Sequence, residues 1–274
     1  DKTIYYKSAV GYFGNNVEID EIKIMQNKHS MPKQCIRKFY DKLSYNFIEK
    51  CHDIIDWYAI SIKGKLSEEF IREHRYLVNW YNICEYQILS EEFIREFHHL
   101  MCWEHISKKQ TLSNKFIDEF HNRLDWRHIS YYQKLSIENI RKYCNKIHWR
   151  FICEKQTLTE DFIREFQNNV DWSYIGKYQT LTEDFIREFQ DKVNWFYITA
   201  KQTTLSNNFI NEFKFSINWK NICSYQHIND DFIIKFCDFI DWDTISSRQE
   251  LSENIIIKFQ DKLNLHKILL NYIL

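Results

Sequence analysis

At 274 residues and a formal net charge of -1, the chain offers no global attraction to nucleic acid or an anionic membrane, and 44% hydrophobic with 17% aromatic content excludes disorder for most of it. One Pro and four Gly exclude turn-rich architectures such as β-sandwiches, which need both at regular intervals. Eight Cys without a C-x-x-C pair, beside a large core, read as reduced thiols, so the expectation is an intracellular or virion-associated protein rather than a secreted one.

Residues 1–30 form a divergent N-terminal segment. Val17-Glu18-Ile19-Asp20 and Ile22-Lys23-Ile24 alternate apolar with polar after Gly14-Asn15-Asn16, which predicts a short β-hairpin there. Residues 31–42, with Ile36 and Phe39 spaced like Ile256 and Phe259, predict a helix that caps the N-terminal end of a repeat array. No apolar run approaches the ~20 residues of a membrane span, and no signal peptide is visible.

From 43 to 274 the chain repeats itself. Trp57, Trp80, Trp103, Trp126, Trp149, Trp172, Trp195, Trp219 and Trp242 step by 23 residues, with one step of 24 at Thr203-Thr204. A fixed short period dictates a stacked architecture in which no unit buries its apolar face alone. The sequence therefore predicts an all-α fold, an α-solenoid of about ten 23-residue two-helix repeats opening at Leu43, Leu66, Leu89, Leu112, Leu135, Leu158, Leu181, Leu205, Ile228 and Leu251.

Each opening residue is followed by a helix-capping side chain such as Ser67, Ser90, Thr159, Thr182 or Asn229, then by acids such as Glu68 and Glu69 where the helix dipole favours negative charge. An Ile stands five positions after the opening in every copy, from Ile48 to Ile256, the partner of that opening residue in a hydrophobic staple. Phe185, Ile186, Phe189 and Val193 share one helical face, which predicts a first helix, A, of about 11 residues. Asp or Asn before the Trp restarts the pattern, and a second helix, B, of about eight residues comes after it.

Gln closes helix B in eight copies, from Gln87 to Gln249, and reads as a ladder of amides satisfying backbone groups at the turn into the next repeat. Cys84, Cys153 and Cys223 take the small position after the helix-B Ile and read as packing. His98, His121 and Cys144 share one column, but neighbouring helices ~8–10 Å apart and the lack of a short-spaced second pair argue against a metal. No P-loop, G-x-G-x-x-G, H-E-x-x-H or G-x-S-x-G motif appears; no enzyme, cofactor or metal is expected. Arg72, Arg95, Arg164 and Arg187, each beside a Glu, read as charge ladders between stacked A helices.

The variable positions carry the functional expectation. The two residues after each Trp, and those two and three after the helix-B Ile, hold 11 Lys or Arg against four Asp or Glu. The predicted partner-binding residues are Tyr81, His105, Arg127, His128, Arg150, Phe151, Tyr174, Phe196 and Tyr197, since aromatics and Arg dominate interface energies. The expected partner is a protein. Single-stranded nucleic acid on the same basic and aromatic surface is the disfavoured alternative, and a structural virion component is another. In the last copy Leu265 replaces Trp and Leu269 the small residue, an apolar end that points to a partner or to self-association.

The pattern L-S-x-x-F-I-x-x-F…D-W-x-x-I-S-x-Y-Q, over about residues 43–274, resembles the short tandem-repeat proteins encoded by giant DNA viruses of amoebae, Mimivirus and its relatives. Richness in Phe, Ile, Asn, Lys and Tyr with only three Ala suits a very AT-rich genome. The resemblance implies a viral source and a repeat class and carries no particular activity; a host or virion protein is the partner expected of the variable surface.

Overall fold

The computed structural model describes residues 10–13, 16–19, 40, 43–63, 65–202 and 205–273. They fall into two compact units, Asp1–Ile147 and His148–Leu274. The first unit holds β1 (Val10–Phe13), β2 (Asn16–Ile19), α1 (Tyr45–Lys50), α2 (Trp57–Lys63), α3 (Glu68–Glu73), α4 (Trp80–Tyr86), α5 (Glu91–Glu96), α6 (Trp103–Lys109), α7 (Asn114–Glu119), α8 (Trp126–Tyr132) and α9 (Ile137–Lys142). The second holds α10 (Trp149–Lys155), α11 (Glu160–Glu165), α12 (Trp172–Tyr178), α13 (Glu183–Glu188), α14 (Trp195–Lys201), α15 (Asn207–Glu212), α16 (Trp219–Tyr225), α17 (Asp230–Lys235), α18 (Trp242–Arg248), α19 (Glu253–Lys258) and α20 (Leu265–Ile273). Odd-numbered helices are the A helices, even-numbered the B helices, and within each unit successive B helices pack on one another. This is the all-α solenoid of tandem helix pairs that the tryptophan period predicts.

The hairpin differs from the prediction in register. Val10 pairs with Ile19 and Phe13 with Asn16, so the partner of the Val17–Ile19 stretch lies before Gly14-Asn15 and not after it. The predicted strand at Ile22–Ile24 and the predicted capping helix at 31–42 lie outside the described residues, except for Tyr40.

Both predicted N-caps form. Ser67 Oγ accepts the Phe70 N–H at 3.2 Å, and the same bond recurs at Ser90, Ser113, Thr159, Thr182 and Ser206. Ahead of helix B, Asn79 Oδ1 accepts from Asn82 N and Asp241 Oδ1 from Thr244 N. Cys102 and His148 occupy the same position without a side-chain cap bond.

Helix A is shorter than its apolar face suggested, six residues rather than about 11. In α3 the next residue, His74, sits at φ -104°, ψ 22°, and the chain continues as a turn closed by Leu77 N–H to His74 O. The backbone groups beyond this turn bond across the repeat boundary. The Asn79 N–H, which would bond the Arg75 carbonyl in a continuing helix, donates to Ser61 Oγ of the preceding repeat at 3.1 Å. The Arg75 carbonyl accepts the Trp80 indole N–H instead, at 2.9 Å. The turn still buries Phe189 and Val193, so the apolar face runs on where the helix does not.

The Ser61 transfer recurs: Asp125 N–H donates to Ser107 Oγ, Asn264 N–H to Ser246 Oγ and Cys102 N–H to Cys84 Sγ. At the first repeat, Asp56 N–H donates to the hydroxyl of Tyr40 at 2.8 Å, and Tyr40 is 2% exposed. A tyrosine from the segment before the array thus supplies the oxygen that a preceding repeat would.

The glutamine ladder is realised bond by bond. Gln133 Oε1 accepts the Leu112 N–H at 3.1 Å, while its Nε2 donates to the carbonyls of Ser107 at 3.1 Å and Gln110 at 2.8 Å. Each such amide closes the junction between helix B of the preceding repeat and helix A of its own. The first-turn acids also reach forward: Glu68 accepts the N–H and hydroxyl of Ser90, and Glu183 those of Ser206. Between repeats Trp80 packs on Phe93 and Phe97 and Trp195 on Phe209 and Phe213, with centroids 4.8–6.2 Å apart. Each fully buried Phe of this column contributes ~1.5–3 kcal/mol.

Outside this core, the Arg ladder runs Arg72–Glu96, Arg95–Glu119, Arg164–Glu188 and Arg187–Glu212 at 2.7–2.9 Å. One rung is reversed. Asp118 stands at an Arg position and Lys142 at a Glu position; they pair with each other, and Asp118 also accepts the hydroxyl of buried Tyr143, which replaces the usual Phe. The polar character continues at Asn139, at the Phe position, whose Nδ2 donates to Asn114 O at 3.0 Å. At the far end Ile257, Leu265 and Leu269 are exposed.

Asp118→Arg removes the carboxylate acceptor of the buried Tyr143 hydroxyl, leaving it only the residue-118 carbonyl at 3.5 Å, a loss of about 1 kcal/mol, and sets two cations together. Urea unfolding should register that loss, and adding Lys142→Glu and Tyr143→Phe should recover most of it. Lys142 and Tyr143 hold the Asp118 carboxyl below its ordinary value of 3.8. A carboxyl depressed by folding stabilises above its unfolded pKa and loses that contribution as pH falls through the folded one, so Asp118→Asn should matter at neutral pH and cease to matter in acid below the folded pKa. Gly176 takes the small position without an oxygen for Asn194, and a Cβ there would meet Tyr197 Cβ at 3.4 Å and Ile198 Cδ1 at 3.5 Å. Gly176→Ser supplies the hydroxyl and removes a mid-helix glycine, so its unfolding midpoint should rise by the equivalent of about 0.5–1.5 kcal/mol.

Candidate interaction surface

Helix B is seven residues long, and its exposure follows its register. In α4, Trp80 is half-buried, Tyr81 exposed, Asn82, Ile83 and Cys84 buried, Glu85 half-buried and Tyr86 exposed. The first and last of the variable positions therefore face solvent. At about 100° per residue they flank the second residue after the Trp and the fifth, which lie between them on the outward arc.

The predicted partner-binding residues divide accordingly. Tyr81 and Phe196 are 57% and 53% exposed, and Arg127 and Arg150 are exposed. The other five occupy the second position after the Trp. His105 is buried, and His128, Phe151, Tyr174 and Tyr197 are half-buried. This column reaches back to the preceding helix B. Asn82 Nδ2 donates to Tyr58 O at 3.1 Å and Asn221 Nδ2 to Phe196 O at 2.8 Å. The Arg150 guanidinium lies 4.5 Å from the Tyr174 ring centre, and hydrogen bonding to Tyr174 raises its pKa. His105 sits edge-on to Tyr81 at 4.4 Å, with Nε2 3.9 Å from a Glu85 oxygen. The second column is thus a packed seam, and the first is open.

A second open row, at the last residue of helix B, alternates in a way that adjacent copies conceal. It reads Lys63, Tyr86, Lys109 and Tyr132 in the first unit, and Lys155, Tyr178, Lys201, Tyr225 and Arg248 in the second. All nine are exposed, the tyrosines by 42–58%. The signal lies in comparing every second copy rather than successive ones.

Among the described residues, the cysteines at the small position are taken up in packing, and two of the column histidines in backbone contacts. Burial pushes the thiols of Cys84 and Cys223 up to about 11 and that of Cys153 to about 12, well away from thiolate reactivity. His98 Nδ1 and His121 Nδ1 contact the carbonyls of Arg95 and Asp118 at 3.0 and 2.8 Å. Among the described residues no group of three or more His, Cys, Asp or Glu is placed to hold a metal, and no helix is long and apolar enough to cross a membrane. Comparison with protein-family models, with curated proteins and with solved structures gave no match.

Proposed function

We propose that the chain is a non-enzymatic repeat scaffold that binds a polypeptide partner, a host or virion protein, through the outward surface of its B helices. The observation that carries this reading is the contrast within one helix. Trp, Ile, the small residue and Gln recur and are consumed by inter-repeat contacts, whereas the residue after the Trp is exposed and differs among copies, as at Tyr58, Tyr81, Glu104, Arg127, Arg150, Phe196 and Lys220. Solenoids use such a row for recognition, because the frame fixes its spacing while its side chains vary freely. Large exposed aromatics and Arg are the side chains that dominate interface energies when a partner desolvates them. The buried polar groups of the frame serve the joints, which leaves the core little for acid–base or nucleophilic chemistry. Carboxylates at Glu104 and Asp243 interrupt the first row, which disfavours a nucleic acid tracking it.

The test is recovery of partners by affinity purification from infected cells. A Tyr81→Ala, Arg127→Glu, Arg150→Glu, Phe196→Ala variant should keep its helical circular dichroism and lose at least about tenfold in recovered partner, while reversing exposed helix-A acids (Glu92→Lys, Asp161→Lys) should change recovery little. Equal recovery by both variants would contradict the assignment of the surface.

A further inference from the structure

The alternation at the ends of the B helices has no counterpart in the frame. Trp, Ile and Gln recur in successive repeats, but lysine and tyrosine recur in every second one, in each unit independently. A cation at a helix C-terminus offsets the helix dipole, which accounts for Lys63, Lys109 and Lys201 but predicts a cation in every repeat. It does not account for Tyr86, Tyr132, Tyr178 and Tyr225, whose rings stand about half-exposed where a lysine would serve the dipole better. No carboxylate occupies the row. It is a cationic feature of a chain whose net charge is only -1, so the attraction it exerts is local and directional.

The pitch narrows the occupant. Packed helices lie about 8–10 Å apart, so like groups along the row recur at about 16–20 Å. That is the length of five or six residues of extended polypeptide. A cation offers a charge-assisted bond to a carboxylate, and the tyrosine midway offers a flat apolar ring with a hydroxyl at its edge. Nucleic acid fits this spacing poorly. One cation per ~16–20 Å leaves most phosphates of a single strand unmatched, whereas a peptide can space its charges to the row; Glu154, 2.9 Å from Lys155 Nζ, weakens that rung toward either ligand.

We infer that the alternating lysine and tyrosine row binds an extended acidic polypeptide segment carrying a carboxylate about every five or six residues, with an apolar or aromatic side chain between. The inference rests on the proposal that the B-helix surface takes a polypeptide, and adds the chemistry and period of that partner. Individually exposed pairs are weak, so binding depends on several rungs engaging together and weakens with salt.

Fluorescence anisotropy of the full chain with labelled synthetic peptides tests it. One peptide of about 18 residues, matched to the three cations of the second unit, carries Glu at every sixth position and Leu midway in a Ser/Gly background; a second has the same composition with its Glu clustered; a third probe is a single-stranded oligothymidylate. At low salt the spaced peptide should bind at least about fivefold more tightly than the clustered one, and the advantage should vanish in Lys201→Ser, Arg248→Ser and separately in Tyr178→Ser, Tyr225→Ser, both folded by circular dichroism. Equal affinity for the two peptides, or binding of neither, overturns the inference. So does oligothymidylate binding that is lost in the same variants, which would assign the row to nucleic acid. If the peptides fail while partner recovery still depends on Tyr81 and Phe196, the scaffold reading stands and only the row's assignment falls.

Discussion

A helix of six residues cannot satisfy itself. The first four N–H groups and last four carbonyls of any α-helix lack partners within it, so in helices of six and seven residues more than half of the backbone groups are end groups. The fold is the solution to that constraint. Ser, Gln and Glu reach across to neighbouring repeats and supply missing partners, which is why Gln closes helix B in eight copies. An isolated unit would lack both its buried aromatic face and these partners.

The same dependence separates scaffold from surface. The Ser61 hydroxyl, the Gln133 amide and the Glu183 carboxylate each serve an adjacent repeat, so changing one disturbs two units at once. The residue after the Trp is tied more loosely: Ser173 and Asp243 make single polar contacts to the next repeat, and Tyr81 and Arg150 meet its rings. These contacts differ from copy to copy, so the position diverges more freely than the joints do. The reversed rung at Asp118, Lys142 and Tyr143 shows the rule from the other side, because there three positions depart from the pattern together and still satisfy one another.

Much of this is legible in the sequence wherever the determinant is local. The Ser and Thr caps, the paired Ile columns and the glutamine ladder can be read because a cap bonds within three residues and a repeated amide announces a repeated task. The length of helix A cannot be read in that way, because its apolar face continues past the helix end at Glu73, through the following turn to Val78. His105, His128, Phe151, Tyr174 and Tyr197 sit at the centre of the outward arc, where a single amphipathic helix would be most exposed; a neighbouring helix covers them, which no one-helix pattern reveals. The lysine and tyrosine row is hidden because successive copies differ there, and its order emerges only across pairs of copies.

The central claim, that side chains of one repeat satisfy the backbone at the junction with the repeat before, is tested most directly by native-state hydrogen exchange at the Leu112 amide in Gln133→Ala. Its acceptor is a side chain 21 residues away. The account predicts that Leu112 loses at least about tenfold in protection, corresponding to about 1.4 kcal/mol, while amides in distant repeats keep theirs. An unchanged exchange rate at Leu112 would contradict it.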